Sequence, residues 1–225
     1  MYHSFASWTR GSAKGEARMR RSVLTAFLII EALLYGSFLF LDLQTDIDTT
    51  WLKFASILII AVMSLLAKNK VFTAALCLTA AADVFLLVLN RWYILGIFIF
   101  IVVQLLYSIS LDSRKKFYCQ LILIFASVTL LLITQNIDAL AIGYIMVFLI
   151  NLLRAGLQYW QKRDKQALLF FSGLLLFFCC DLCVGYYQIG SGSLWHFARI
   201  AMWGFYLPGQ ILILLSDLLF QGDHI

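Results

Sequence analysis

The sequence predicts an all-α integral membrane protein with eight transmembrane helices. Its 225 residues are 63% hydrophobic and 13% charged, and the mean hydropathy is +0.91, whereas a soluble domain is about 45 to 50% apolar and about 25% charged. Apolar runs of about 20 residues, the length that crosses a bilayer as a helix, alternate with short polar connections. A membrane β-barrel would instead show alternating segments of about ten residues, so the spans are predicted to be helices.

Composition divides the chain into three parts. Residues 1–20 form a basic polar arm, 21–217 the transmembrane domain and 218–225 a short tail. The first apolar run follows basic residues, as in a signal peptide, but it is too long for the apolar region of one and further spans follow it. It is therefore predicted as the first helix. The eight helices are predicted at residues 22–41, 51–67, 71–90, 92–111, 116–134, 137–160, 164–187 and 193–216.

Charged residues in the connections predict the orientation. With eight crossings, basic residues collect on one side of the membrane and acidic or neutral residues on the other. Because cytosolic loops are enriched in lysine and arginine, both termini are predicted to be cytosolic in a multi-pass protein of the cell membrane. The same residues account for the net charge of +5, so the predicted partner is the lipid bilayer and not nucleic acid. The basic set is Arg10, Lys14, Arg18, Arg20, Arg21, Lys68, Lys70, Arg114, Lys115, Lys116, Lys162, Arg163 and Lys165, and the opposite connections contain Asp42, Asp46, Asp48, Arg91 and Asp138.

Two aspartates lie inside apolar spans, Asp83 in the third and Asp181 in the seventh. An ionisable group inside a membrane is costly and is by default a candidate functional residue. At about 1.5 Å of rise per residue, both lie roughly 10 Å inside the non-cytosolic face. The alternative is a structural pairing, for example of Asp181 with Arg199. If the first and last four helices form a parallel repeat, the two acids occupy equivalent positions facing a shared axis.

Polar and aromatic residues also recur at helical spacing in three apolar helices. Lipid does not solvate such faces, so they are predicted to face a shared interior; the alternative for single residues is hydrogen bonding between helices. Arg154 is predicted to extend to the cytosolic surface, and Glu31 is either hydrogen-bonded within the bundle or a third acid of the cavity. Pro208 removes the helical hydrogen bond to Gly204. The faces comprise Tyr93, Gly96, Phe100, Gln104 and Tyr107; Tyr144, Asn151, Arg154 and Gln158; and His196, Arg199, Trp203, Tyr206 and Gln210.

Cysteine and histidine do not predict a metal centre. The C-x-x-C pair Cys180 and Cys183 lies within a helix, and no second cluster of histidine and cysteine accompanies it. His3 and His224 are terminal, which leaves His196 as the internal histidine. No metal site is predicted.

The residues around the two acids carry a family resemblance. The sequence AADVFLLVL at 81–89 is followed by Gly96, Phe100 and Tyr107, and FFCCDL at 177–182 is followed by Tyr206 and Gln210. In this order and over about residues 25–216, the chain resembles the YhhN family of membrane proteins, whose characterised members are lysoplasmalogenases. It departs from the usual family pattern in having Ala82 for glycine, Cys180 for serine and Gln104 for histidine.

The resemblance implies hydrolysis of the sn-1 vinyl ether of a lysoplasmalogen, with release of a fatty aldehyde and a glycerophospho-headgroup. Vinyl ethers hydrolyse by protonation of the β-carbon to an oxocarbenium ion, which water captures. One of Asp83 and Asp181 would be the acid, and the other would stabilise the cation and deprotonate water, as paired carboxyls do in glycoside hydrolysis. No cofactor is needed. The residues assigned to lysophospholipid binding are Tyr93, Gln104, Tyr107, Asn151, His196, Arg199, Trp203, Tyr206 and Gln210, with His196 and Arg199 as candidates for the phosphate.

A function of another class also fits an acid-containing bundle. A non-catalytic lipid-binding protein or a small proton-coupled transporter would use the acids to bind a proton or a cationic headgroup. Eight helices with short loops are few for a transporter. Aldehyde release from a lysoplasmalogen separates an enzyme from a carrier.

Overall fold

The computed structural model describes residues 2–44, 47–111, 114–191 and 193–220, and helices joined by short connections make up most of this part of the chain. No β-strand occurs in these residues, which confirms an all-α protein. The helices are α1 (Tyr2–Gln44), α2 (Thr50–Ser64), α3 (Lys70–Asp83), α4 (Tyr93–Ser110), α5 (Arg114–Thr134), α6 (Ile137–Lys162), α7 (Lys165–Ile189) and α8 (Ser193–Leu218), and a π-helical turn, Val84–Val88, continues α3.

Apolar run length placed most helix ends well. From the third helix onward, each predicted end lies within two residues of the observed one when the π-helical turn is counted with α3. The first helix differs, because α1 begins at Tyr2 instead of residue 22 and the basic arm continues the helix. Residues 2–20 contain no proline, and their three alanines and three arginines favour helix.

Seven helices are long and apolar enough to cross a membrane, among the residues that the structure describes. The shorter one is α2, with 15 residues, which span about 22 Å at about 1.5 Å per residue against a hydrocarbon core of about 30 Å. It ends at Ser64 and not at residue 67, because the N–H groups of Leu65, Leu66 and Ala67 donate to carbonyls three residues earlier and close the end in tighter turns. The Thr73 hydroxyl also donates to the Ser64 carbonyl, at 2.8 Å. The chain is thus a multi-pass membrane protein, but the count of eight crossings is not confirmed.

Glycines bring α7 and α8 into close contact. A Cβ atom on Gly173 would lie 2.9 Å from the Gly209 carbonyl oxygen and 2.7 Å from the side chain of Ile213. One on Gly209 would lie 3.0 Å from the Gly173 carbonyl oxygen. Small residues allow membrane helices to approach at backbone distance and to gain dispersion energy there. This contact fixes α7, which carries Asp181, against α8.

A tyrosine replaces the hydrogen bond that proline removes from α8. Pro208 lies inside α8 and has no N–H to donate to the carbonyl of Gly204. The hydroxyl of Tyr35 donates to that carbonyl at 3.1 Å. Because an unpaired carbonyl inside a membrane protein is costly, this bond couples α1 to the middle of α8.

Candidate active site

Asp83 lies at the end of α3, where the helix changes to the π-helical turn. It is buried, and its Oδ2 accepts a 2.6 Å hydrogen bond from the hydroxyl of Tyr206 on α8. A π-helical turn widens the helix and redirects the side chains around it, and such turns are frequent at functional sites. The π-helical turn therefore begins directly after Asp83, where this acid contacts α8.

Asp181 on α7 is partly buried and is held by a different tyrosine. The hydroxyl of Tyr144 on α6 donates to its Oδ2 at 2.5 Å. The alternative pairing with Arg199 is therefore not what the structure shows. Arg199 is exposed, and its guanidinium lies 6.0 Å from the ring of Trp195.

The two acids lie near each other. The carboxyl groups of Asp83 and Asp181 interact electrostatically with each other, and Cys180 interacts with both. The ring of Phe177 packs against Tyr206 with centroids 5.5 Å apart. Helices α3, α6, α7 and α8 thus converge on a pair of carboxyls, each held by a tyrosine.

The two acids do not share the same surroundings, as an exact repeat would require. The π-helical turn follows Asp83, whereas α7 continues as an α-helix past Asp181. A repeat of four helices relates α8 to α4, so the counterpart of Tyr206 should lie on α4, but Tyr144 lies on α6. The predicted repeat is therefore not confirmed.

A buried polar chain extends from Asp181 toward the other end of the bundle. The side chain of Gln104 approaches the Tyr144 hydroxyl, and Asn151 donates to the backbone oxygen and to Oε1 of Gln104 at 2.6 and 3.1 Å. Gln120 on α5 donates to Asn151 at 2.8 Å. For Asn151, hydrogen bonding between helices is thus observed, and Gln104 connects it to the acid site. Gln120 was not singled out from the sequence.

The prediction that Arg154 extends to the cytosolic surface is wrong. Its side chain is buried and donates to the hydroxyl and carbonyl oxygens of Ser108 on α4, at 2.6 and 3.2 Å. The inward face of α6 at this position packs against α4, so the guanidinium finds acceptors there and need not reach water.

Other residues assigned to the site differ in position. Tyr93 is exposed and its hydroxyl donates to Asn90, so it lies apart from the interior face of α4. Tyr107 and Gln210 are buried, and their side-chain polar atoms have no hydrogen-bond partner within the described part of the chain. Trp203 packs on Tyr206, with ring centroids 5.5 Å apart. The side chain of His196 lies outside the described residues.

Glu31 on α1 is buried, and it faces Ser56 on α2, which is also buried. Among the described residues, neither the two carboxyl oxygens of Glu31 nor the Ser56 hydroxyl has a hydrogen-bond partner. The acid thus lies between α1 and α2, and the interpretation as a hydrogen-bonded group is not confirmed.

An ion pair near the acids was not anticipated. Lys53 Nζ lies 2.7 Å from Oδ2 of Asp42, and it lies 5.0 Å from the centroid of the Trp203 ring. From the sequence, Asp42 was used only as a loop charge and Lys53 was not considered. The available signal was a lysine in the first turn of an apolar helix that follows three aspartates.

A shallow apolar groove lies between α2 and the end of α3. It has a volume of about 330 Å³, and its lining includes Val84, the residue after Asp83, but not Asp83 itself. An alkyl chain fits such a surface because it exposes almost no polar atoms. The lining residues are Phe54, Leu58, Ala61, Val62, Leu65, Cys77, Ala80, Ala81 and Val84.

No three histidine, cysteine, aspartate or glutamate side chains lie close enough to hold a metal ion, among the residues that the structure describes. The site therefore offers carboxyl, phenol and amide groups within an aromatic and aliphatic surround. Such groups transfer protons and stabilise a cation.

Comparison with known proteins gives one match. Residues 49–216 match the model of the YhhN family, and this range contains both aspartates and both of their tyrosine partners. No curated protein and no solved structure matches the chain.

Proposed function

Because the chain belongs to the YhhN family, we propose that it is a membrane hydrolase that cleaves the sn-1 vinyl ether of lysoplasmalogens. The products are a fatty aldehyde and a glycerophospho-headgroup. The observation that supports this most directly is the pair of interacting carboxyls, Asp83 and Asp181, each hydrogen-bonded by one tyrosine hydroxyl. No cofactor enters the reaction.

The reaction begins with transfer of a proton from one carboxylic acid to the β-carbon of the vinyl ether. The π electrons form the new C–H bond, and the positive charge is shared by the α-carbon and the ether oxygen. Water adds to the α-carbon as the second carboxylate accepts a proton from it, which is general base catalysis. The hemiacetal then gives its hydroxyl proton to the first carboxylate, while the second carboxyl protonates the departing sn-1 oxygen. The C–O bond breaks to give the aldehyde and the free sn-1 hydroxyl, and both carboxyls return to their starting protonation states.

Two carboxyls in a site with little water suit these steps. Burial favours the neutral form of a carboxyl, and a neighbouring carboxylate favours it further. One acid can thereby hold the reacting proton while the other stays ionised to stabilise the oxocarbenium ion, as in glycoside hydrolysis. The tyrosines occupy one oxygen of each carboxyl, so we assign proton transfer to the other oxygen.

The groove between α2 and α3 supports a role in holding the alkenyl chain. It is apolar, and Val84, the residue after Asp83, is part of its lining. We infer that the vinyl ether end of a chain lying there passes over the end of α3 to the acids. Burial of apolar surface contributes roughly 0.8 kcal/mol per CH₂ group, so even a few carbons in the groove would favour binding.

The proposal includes the membrane arrangement. We place the protein in the cell membrane with eight crossings and with both termini in the cytosol, on the basis of the basic connections. In this arrangement α2 crosses despite its length, since a short helix is accommodated by local thinning of the bilayer.

The test is release of fatty aldehyde from a purified lysoplasmalogen by the purified protein in detergent. An alkyl ether of the same chain length lacks the double bond and should not react. If no aldehyde forms while the protein is folded and binds the lipid, the hydrolase proposal is wrong and a lipid-binding function is favoured.

A further inference from the structure

Three residues, Phe38, Trp203 and Asp42, form an aromatic and acidic enclosure around the ammonium group of a fourth, Lys53. The Nζ atom of Lys53 lies 5.8 Å from the ring centroid of Phe38 and 5.0 Å from that of Trp203. Both distances are within the range of about 6 Å for a cation–π interaction. On another side, Nζ contacts Oδ2 of Asp42 at 2.7 Å. We call these four residues the headgroup enclosure.

The enclosure is partly withdrawn from water but reachable. The side chains of Lys53 and Asp42 are 12% and 15% exposed. The Thr49 hydroxyl donates to Oδ1 of Asp42 at 2.6 Å, which orients the carboxylate. An exposed ion pair contributes about 0 to 1 kcal/mol to stability. A simple link between α1 and α2 would not need the two aromatic rings that also lie against this pair.

The enclosure adjoins the acid site through one shared wall. The Trp203 ring that faces Lys53 also packs on Tyr206, at 5.5 Å between centroids. The Tyr206 hydroxyl in turn contacts Asp83 at 2.6 Å. A molecule with a reacting bond at Asp83 would place the groups a few bonds away beside Trp203.

We propose that the headgroup enclosure binds the zwitterionic headgroup of a lysophospholipid, phosphocholine or phosphoethanolamine. The ammonium of the lipid takes the place of the lysine ammonium between Phe38, Trp203 and Asp42, and Lys53 turns to the phosphate. This inference rests on the proposed function, because it assigns the headgroup of that substrate.

Charge balance explains why the headgroup is zwitterionic. The pair of Lys53 and Asp42 carries no net charge. Binding a lipid with no net headgroup charge therefore replaces this one ion pair by two, lipid ammonium with Asp42 and Lys53 with phosphate, and leaves no charge unpaired. Quaternary ammonium groups are recognised by aromatic rings, and a phosphate accepts charge-assisted hydrogen bonds from a lysine. An anionic headgroup without an ammonium would leave Asp42 unpaired, which is unfavourable.

The position also fits the covalent structure of the substrate. The phosphate is on the sn-3 oxygen, separated from the sn-1 ether oxygen by the three glycerol carbons. Asp83 is connected to the enclosure by consecutive contacts through Tyr206 and Trp203. Arg199, the earlier candidate for the phosphate, is exposed and lies over Trp195 instead.

The experiment measures binding of lipids that cannot be hydrolysed. Titration calorimetry with purified full-length protein compares a 1-O-alkyl lysophosphocholine, the corresponding lysophosphoglycerol and the 1-O-alkylglycerol, which has no headgroup. Wild type should prefer the phosphocholine lipid. Lys53→Gln and Asp42→Asn should each weaken its binding by about tenfold or more, since a hydrogen bond to a charged group contributes about 1.5 to 3 kcal/mol. Binding of the alkylglycerol should change by less than about twofold on the same scale.

Two further variants separate recognition from folding. Lys53→Arg keeps the charge and should retain preference for the phosphocholine lipid. Arg163→Gln is the matched control, because Arg163 lies 4.2 Å over Trp160 at the other end of the bundle and should not affect binding. Equal losses for all three lipids, unchanged binding in both Lys53→Gln and Asp42→Asn, or a tenfold loss caused instead by Arg199→Gln would each overturn the inference.

Hydrolysis is measured separately on the vinyl ether lipids. Intact headgroup preference with no aldehyde from wild type would end the hydrolase proposal and leave the enclosure as the headgroup site of a lipid-binding protein. Aldehyde release without any headgroup preference would end the enclosure proposal alone.

Discussion

The hydroxyl of Tyr206 on α8 donates a 2.6 Å hydrogen bond to Oδ2 of Asp83, 123 residues earlier in the chain. The bond joins α8 to the start of the π-helical turn and fixes the orientation of the carboxyl. Tyr144 orients Asp181 in the same way from α6. The candidate site is therefore a pair of carboxyls that are each oriented by a tyrosine hydroxyl. The contribution of each hydrogen bond can be tested by a single substitution.

Neutralising either acid should abolish most of the activity. Asp83→Asn and Asp181→Asn should each lower aldehyde turnover by about 10² or more, because general acid–base catalysis contributes about 10² to 10⁴. The double variant should lose little more, since groups that act as a unit are strongly non-additive. Glu31→Gln changes another buried membrane acid and should retain turnover. A folded single variant with nearly normal aldehyde release would remove that acid from the mechanism.

Removing the tyrosine hydroxyls should slow the reaction without unfolding the protein. Tyr206→Phe and Tyr144→Phe each delete one hydrogen bond to a carboxyl, which corresponds to a loss of about tenfold or more in turnover. Tyr159→Phe is the control, because Tyr159 lies at another position on α6 and stacks on Phe171 of α7. Initial rates and melting temperatures are measured together. Rates that fall only in proportion to the folded fraction would argue for a purely structural role.

The bond between Tyr35 and Gly204 should depend on Pro208. Tyr35→Phe leaves the Gly204 carbonyl without its donor and should lower the free energy of unfolding by about 1 kcal/mol. In a Pro208→Ala background the residue at 208 supplies an N–H to that carbonyl, so the same change should cost less. Chemical denaturation of the four proteins in detergent gives the interaction energy. Equal costs in both backgrounds would contradict the replacement of one bond by the other.

The contact of α7 with α8 should not tolerate a methyl group at Gly173. Gly173→Ala places Cβ 2.9 Å from the backbone oxygen of Gly209, and overpacking of this kind costs about 1 to 3 kcal/mol. Gly185→Ala is the control on the same helix, because a Cβ there has nothing within 4 Å. Melting temperatures in one detergent decide the matter, and a Gly173→Ala protein as stable as the control would show that the helices can separate.

Reporter fusions test the membrane arrangement. Reporters fused after residues 68 and 113 should be cytosolic, and those fused after residue 48 or at Gly192 should be on the opposite side. The pair at 48 and 68 brackets α2, the shorter helix. If the reporters at 48 and 68 lie on the same side of the membrane, α2 does not cross it. If the reporters at 113 and 192 are both reversed, the acids lie in the other half of the membrane.

The sequence by itself determined the membrane class, most helix ends and the two acids. Run length and charge suffice for these because the bilayer sets the length of a helix and penalises a carboxyl wherever it lies in the span. The loss of the hydrogen bond from Pro208 to Gly204 also follows from covalent structure alone.

Only the tertiary structure decided which groups meet. Helical spacing places Tyr144, Arg154 and Tyr206 on faces of their helices, but it does not say which helix each face contacts. Tyr144 hydrogen-bonds Asp181 because α6 contacts α7, and Tyr206 hydrogen-bonds Asp83 because α8 contacts α3. Arg154 is buried against Ser108 because α6 also contacts α4. The ammonium of Lys53 likewise meets Trp203 through packing between helices distant in sequence. The physical reason is that interactions between helices depend on their relative rotation and depth, which the spacing of residues within one helix does not contain.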